Sequence, residues 1–317
     1  MDEPMRRTLR VQQKTWEADG VISVTFADPS GAQLPAWEPG AHLALHLPNG
    51  LVREYSLCSD PSDRSRWTVA VLRTPDSRGG STHIHDLLPV GGLLEVEGPR
   101  QNFALDTAAR HILVAGGIGI TPILSMVRTL HRDGANWTLL YTGRSRSTMA
   151  FLDEIDSLPA ERVTIHADDA AAGRYPDLAG LLGDIDADTV AYCCGPEALM
   201  AACRDALPDP GQLRIERFKA PEPIATGEDT AFDVILAGSG RRIPVGPEVS
   251  VLSALQNAGV PVESSCTEGI CGTCEVGVVK GDVEHRDFLL SPEEQQTGGT
   301  MFVCVSRCRS AELVLDL

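Results

Sequence analysis

Basic residues are scarce in this chain. Its 317 residues include 27 lysines and arginines against 44 aspartates and glutamates, a formal charge of −17 with a pI near 4.8. Nucleic acids and anionic membranes are held by basic faces, so this balance argues against both as partners and leaves room for an acidic docking surface for a protein. Long apolar runs are lacking as well: none approaches the roughly 18 residues that a membrane span requires. The opening stretch from Met1 to Trp16 has no apolar core of the kind a secretory signal carries, so the expected location is the cytosol. No internal repeat and no low-complexity tract is found. The nine cysteines are an odd number, and in a cytosolic chain a disulfide framework is not expected, so metal or redox chemistry is the first expectation. With 43% hydrophobic and 22% charged residues the chain can bury proper cores. Its length suggests two or three domains at roughly 100–200 residues each.

Three blocks separate by pattern. Residues 5–107 read as short strands (Val21–Phe26, Ala41–Leu47, Trp67–Leu72) punctuated by turn signals such as Pro48-Asn49-Gly50 and Arg78-Gly79-Gly80, with a short helix from Ser81 to Leu88. Closely spaced strands with period-two alternation predict an antiparallel β-barrel. Residues 108–218 alternate strands (His111–Ala115, Trp137–Tyr141, Val163–His166, Thr189–Cys194) with helices (Pro122–His131, Met149–Leu158 and one ending at Leu207). That is the βαβ rhythm of an open parallel α/β sheet. Residues 219–230 are proline-rich without apolar period and read as a linker. Residues 231–317 start with a strand, Phe232–Leu236, a hairpin at Gly238-Ser239-Gly240 and a helix from Val251 to Ala258.

The third block carries Cys266, Cys271, Cys274 and Cys304, spaced C-x4-C-x2-C, then 29 residues, then C. This is the plant-type spacing for a [2Fe–2S] cluster. Two irons need four thiolates and a loop that wraps closely enough to point backbone N–H groups at sulfur, and Gly269, Gly272 and the small Ser264, Ser265 and Thr273 suit that approach. Zinc is the alternative, but it usually takes paired C-x2-C knuckles and only one is present. Cys308 reads as a satellite thiol.

Ala115-Gly116-Gly117-Ile118-Gly119-Ile120-Thr121-Pro122 joins a strand to a helix. Such a turn aims backbone N–H groups and the helix dipole at a phosphate, although it departs from the strict G-x-G-x-x-G pattern and is also compatible with a plain βα turn. Cys194-Gly195-Pro196 ends another strand, and the carboxyl ends of parallel strands are where such sheets bind ligands. Cys194 is then placed beside a nicotinamide ring or is simply packed. A pyridine nucleotide yields two electrons at once, whereas a [2Fe–2S] centre takes one, so a flavin is needed between them. The barrel is the place left for it. There Arg53 can pair with a phosphate, Tyr55 can pack on the ring, Ser56 can hydrogen-bond its reactive edge, and Arg78-Gly79-Gly80-Ser81 opens a helix as a second phosphate cradle. Each has a plainer reading as core, solvated charge or turn.

Taken in order, Arg53-x-Tyr55-Ser56-Leu57, Gly79-Gly80-Ser81, the turn from Gly116 to Pro122, Cys194-Gly195-Pro196 and the cysteine set resemble the phthalate dioxygenase reductase family, a branch of the ferredoxin–NADP reductase superfamily. The similarity spans nearly the whole chain. It implies a C-terminal ferredoxin-like β-grasp domain. It also implies that Arg53, Tyr55, Ser56 and Leu57 with Gly80 and Ser81 hold FMN, and that Gly117, Gly119 and Thr121 face the nucleotide pyrophosphate. By the same resemblance Cys194 adjoins the nicotinamide, Phe218 approaches the flavin ring, and the electron acceptor is a terminal oxygenase protein. The family implies NADH, while Arg144 and Arg146 after the second sheet strand raise the possibility of NADPH, or form a solvated basic loop. Ser56, Cys194 and Phe218 are expected where hydride moves, and no acid–base dyad is evident. His83 and His85 read as surface or capping residues. Residues 231–317 carry 6 basic and 12 acidic side chains, net −6 by subtraction, either a docking face for a basic partner or ordinary solubility charge. Two other functions compete: a ferredoxin-like carrier or redox-responsive binding module with inactive upstream domains, and a flavin monooxygenase acting directly on its substrate.

Overall fold

The structure, a computed structural model, describes residues 5–74, 77–221 and 229–317. Most of the expected linker, 222–228, lies outside the described residues. The chain packs as two compact units, 1–217 and 218–317.

The first unit opens with β1 (Arg6–Ala18), β2 (Val21–Ala27), β3 (Ala41–His46), β4 (Val52–Ser56), β5 (Trp67–Leu72), α1 (Gly80–Asp86) and β6 (Leu93–Gln101). The strands pair antiparallel in the order β4-β3-β6-β1-β2-β5, and a bridge between Leu57 and Val69 joins the two ends, so the sheet closes into the expected barrel. Alternation sorts the side chains: Leu43 and Leu45 of β3 enter the barrel core with Leu9, Phe26, Leu57 and Trp67. Strand β1 escapes the hydrophobic pattern because only Leu9, Val11 and Ala18 of its 13 residues are buried.

The same unit continues with β7 (Arg110–Gly116), α2 (Ile120–Arg132), β8 (Trp137–Gly143), α3 (Leu152–Ile155), β9 (Val163–Ala167), α4 (Leu178–Leu182), β10 (Thr189–Cys194), α5 (Glu197–Ala206) and β11 (Leu213–Glu216). The strands are parallel in the order β11-β10-β7-β8-β9, with α2 and α3 packed on one face and α4 and α5 on the other. The helix expected over 149–158 is cut to a single turn. Met149 is extended and buried, and Phe151 takes φ 62°, which no right-handed helix can contain. Arg128 of α2 donates to the carbonyl of Cys58 and pairs with Glu154, which ties the barrel to the sheet.

The second unit holds β12 (Phe232–Leu236), β13 (Arg242–Val245), α6 (Val251–Asn257), β14 (Glu275–Lys280), β15 (Val283–Glu284), α7 (Pro292–Thr297), β16 (Thr300–Phe302), β17 (Arg307–Cys308) and β18 (Glu312–Leu315). A five-stranded mixed sheet, β13-β12-β18-β14-β16, has β12 and β18 parallel at its centre, and α6 packs into the core it covers. This is the expected β-grasp. Ser250 caps α6 by accepting from the Ser253 amide. Among the described residues no helix is long and apolar enough to cross a membrane.

Candidate functional site

On β4, Arg53 and Tyr55 share one face and Glu54 and Ser56 the other. Arg53 lies across α1: a Cβ added at Gly80 would stand 2.7 Å from its Nε and 2.8 Å from its Cγ. Two motifs that are separate in sequence, the arginine and the G-G-S turn, thus meet. Gly79 takes φ +94° just before α1, and the Ser81 hydroxyl sits 3.0 Å from that of Ser77. At the other end of α1, Lys14 donates to the carbonyls of Ile84, His85 and Leu88 at 2.8, 2.9 and 3.1 Å, a cation placed where the helix dipole favours one. Burial holds the Lys14 ammonium below its usual range against the pull of Asp86. His85 takes a structural part, its Nε2 lying 2.9 Å from the Val71 carbonyl. Burial pushes the Tyr55 phenol up to about 12, with Arg53 opposing. Leu57 is wholly inside the barrel core, so only its backbone can face a ligand.

The glycines after β7 are explained by packing. A Cβ on Gly119 would fall 2.1 Å from the Cys194 carbonyl oxygen, and one on Gly116 would fall 2.6 Å from Pro196 Cδ, so the two turns touch backbone to backbone. Gly117 differs: it needs its φ of +55°, and a Cβ there would meet nothing within 4 Å, leaving that side of the turn open. Thr121 is buried and donates to the Ile118 carbonyl at 3.1 Å, which fixes the turn's shape.

Barrel and sheet meet at Ser56, whose hydroxyl donates to Glu216 Oε2 at 3.2 Å. Glu216 ends β11 and is the register partner of Cys194 on β10. Desolvation pushes the Glu216 carboxyl up to about 8; the Ser56 bond pulls down and Glu54 adds to the rise. Glu216 therefore holds a proton at neutral pH. Burial pushes the Cys194 thiol far up, and the Glu216 carboxylate adds to this once it ionises at higher pH, so the thiol stays neutral. His42, the strand partner of Ser56 on β3, is buried, and desolvation with Arg100 brings its imidazole down to about 4, so it too is neutral. Sequence reading passed over Glu216 and His42. No local signal marks Glu216, which comes beside Cys194 only through the pairing of β10 with β11.

In the second unit, Cys266, Cys271 and Cys274 lie on the loop between α6 and β14, and Cys304 follows β16; Cys266 is partly exposed and the other three are buried. The thiols are in mutual contact, Cys266 with Cys271 and Cys304, and Cys274 with Cys304. Those contacts draw Cys266 and Cys274 below the usual thiol range and push Cys304 above it. The Glu268 amide donates to Cys266 Sγ at 3.3 Å. Contacting thiols with an amide already aimed at sulfur fit a two-iron cluster. Cys308 is outside the set, its sulfur 3.0 Å from the Ser310 hydroxyl.

Residues 113–205 match the oxidoreductase NAD-binding domain family and residues 234–309 the 2Fe-2S iron-sulfur cluster binding domain family. The chain is 43% identical over 315 residues to the phenoxybenzoate dioxygenase subunit beta of Ectopseudomonas oleovorans, covering 98% of this chain and 97% of that protein. A solved structure of phthalate dioxygenase reductase, described as modular for electron transfer from pyridine nucleotides to [2Fe–2S], matches at 40% identity over 98% of both chains with a TM-score of 0.73. The chain belongs to the phthalate dioxygenase reductase family. An intact type IV self-sufficient cytochrome P450 monooxygenase also matches, with a TM-score of 0.90 and 41% identity, and there 98% of this chain spans 41% of the longer protein.

As a member of this reductase family the chain is an NAD(P)H-dependent oxidoreductase. Its structure brings together Arg53 with Gly80, and Ser56 with Glu216 beside Cys194. Phe218 is 46% exposed and opens the second unit. Arg146 is engaged by Asp156 at 2.6 Å, while Arg144 is exposed, its carbonyl accepting from the Asp169 amide at 3.0 Å.

Proposed function

We propose that this reductase takes electrons from NADH, passes them through FMN to its [2Fe–2S] cluster, and delivers them singly to a separate terminal oxygenase protein. The observation that carries this reading is the meeting of Ser56, Cys194 and Glu216 where the barrel abuts the carboxyl ends of the parallel strands. FMN, when bound, accepts an electron pair and releases it one electron at a time. Arg53, Gly80 and Ser81 would hold its phosphate and Tyr55 would pack on its ring. Ser56 would meet its reactive edge, with Glu216 keeping that hydroxyl oriented and holding a proton behind it. Cys194, neutral and soft, would wall the nicotinamide pocket and exclude water. Gly117 leaves the approach to the pyrophosphate open, and Gly119 and Thr121 shape the turn. Cys266, Cys271, Cys274 and Cys304 would bind the cluster, which works near about −400 mV as a one-electron carrier.

NADH is favoured over NADPH. The amides of Asp168 and Asp169 bond to the carbonyls of Gly143 and Arg144, which places two acidic residues at the carboxyl end of β8. Carboxylates accept from a ribose diol and repel a phosphate, and Arg146 is already neutralised by Asp156.

Anaerobic spectroscopy tests the proposal. The purified protein should show flavin and cluster bands, both bleached by NADH and far more slowly by NADPH, and acid extraction should release FMN. Cluster bands that stay oxidised under NADH would refute it, and release of FAD would refute the choice of flavin.

A further inference from the structure

We propose that Asp287 is a positioning residue for the cluster loop: it shapes a turn whose backbone keeps one peptide N–H on the Cys266 sulfur, and thereby raises the reduction potential of the cluster. The proposal rests on the [2Fe–2S] reading above. Asp287 lies 18 residues past Gly269, and its side chain has no exposed surface. Its Oδ2 accepts from the amides of Leu289 at 3.2 Å and Leu290 at 2.9 Å, which bends the chain into an Asx-type turn. The bend presents the Phe288 N–H to the Gly269 carbonyl at 3.0 Å. That carbonyl and the Ile270 N–H belong to one peptide unit, planar and trans, so they point in opposite directions. Holding the oxygen therefore aims the Ile270 hydrogen back into the cysteine loop, where the neighbouring Glu268 N–H already donates to Cys266 Sγ at 3.3 Å.

The fit at Gly269 shows how firmly the loop is backed. Its φ is +71°, and a Cβ there would stand 2.7 Å from Val305 Cγ2 and 3.2 Å from the Asp287 Cα. His285, 6% exposed, closes the other side of the carboxylate, its Nδ1 3.5 Å from Oδ1. An N–H donated to a cluster thiolate stabilises the more negative reduced state, and hydrogen bonds to sulfur are among the terms that set the potential of such clusters.

Removing Asp287 has two effects of opposite sign. Loss of a nearby negative charge raises the potential, whereas loss of the turn loosens the loop amides that face sulfur and lowers it. The experiment is a potentiometric titration of the full holoprotein, followed by cluster absorbance and EPR. Asp287→Ala should shift the cluster's midpoint negative, by the order of a tenfold change in the one-electron equilibrium constant or about 59 mV, with altered g-values. Asp287→Asn, which keeps an acceptor for the two amides, should not fall below wild type. An unchanged Asp287→Ala, or one that moves positive together with Asp287→Asn, overturns the proposal. If Asp287→Ala fails to take up its cluster, Asp287→Ser, whose shorter hydroxyl loses at least one amide contact, is judged by the same criteria. The wild-type peptide spanning 266–274 should also exchange its amide hydrogens slowly, and free exchange there overturns the proposal as well. Absence of cluster bands in the wild type would instead remove the functional reading itself.

Discussion

At the scale of single residues, the Ser56–Glu216 contact gives the sharpest expectations. Glu216 binds its proton more tightly in the folded protein, at about 8, than in the unfolded chain, at 4.5. Between those two values the folded state carries the extra proton, so stability must fall as pH rises. Glu216→Gln keeps the shape and removes the titration, so the decline of Tm across that window should flatten in the variant; thermal melts from pH 4 to pH 9 decide it, and parallel curves would show that Glu216 is not the group responsible. Ser56→Ala should leave flavin bound and slow its reduction by NADH in stopped flow about tenfold, the effect of one lost hydrogen bond worth about 1.4 kcal/mol. A wild-type rate in that variant would remove Ser56 from the reacting edge. This contact was illegible in the sequence because its partners stand 160 residues apart and nothing local marks Glu216. Asp287 was hidden for the same reason, a lone acid whose meaning appears only once Gly269 packs beside it. The cysteine motif is plain in the sequence, because three of the four proposed ligands lie within nine residues and the spacing itself points to the chemistry.

Among elements, the turn after β7 shows that glycines in one motif do different jobs. Gly119→Ala forces a methyl into the Cys194 carbonyl, so the turns must part; a loss of about 1–3 kcal/mol in stability is expected, with slower reduction by NADH. Gly117→Ala meets no protein atom and costs only the left-handed strain, about 1–2 kcal/mol, but its methyl occupies the open side and should weaken NADH binding. Titration of NADH into the two variants separates these roles, and wild-type affinity in Gly117→Ala would move the nucleotide away from this turn. The parallel sheet was readable because its strands are continuous apolar runs, and the barrel because β2, β3 and β5 alternate. The helix over 149–158 failed because periodicity cannot see the left-handed Phe151 that restarts the chain just before α3.

For the whole molecule, the question is how the reductase finds its oxygenase. The chain carries −17, and residues 231–317, which include all four cluster cysteines, contribute 6 basic against 12 acidic side chains. Charge of one sign around an electron exit attracts a partner whose own site is basic and accelerates encounter far more than it tightens the complex. Salt screens that attraction, since the Debye length shrinks from roughly 10 Å at 0.1 M to roughly 3 Å at 1 M ionic strength. The second-order rate of electron delivery to the oxygenase should therefore fall steeply with added salt, by the order of tenfold between 50 mM and 500 mM. Reduction of the flavin by NADH probes the first unit alone and should change much less over the same range. The same titration with a small neutral acceptor in place of the oxygenase isolates the protein encounter, because a neutral molecule feels no steering. If delivery to the oxygenase is as flat with salt as delivery to the neutral acceptor, the acidic composition serves solubility, and recognition between the proteins lies in shape and apolar contact instead.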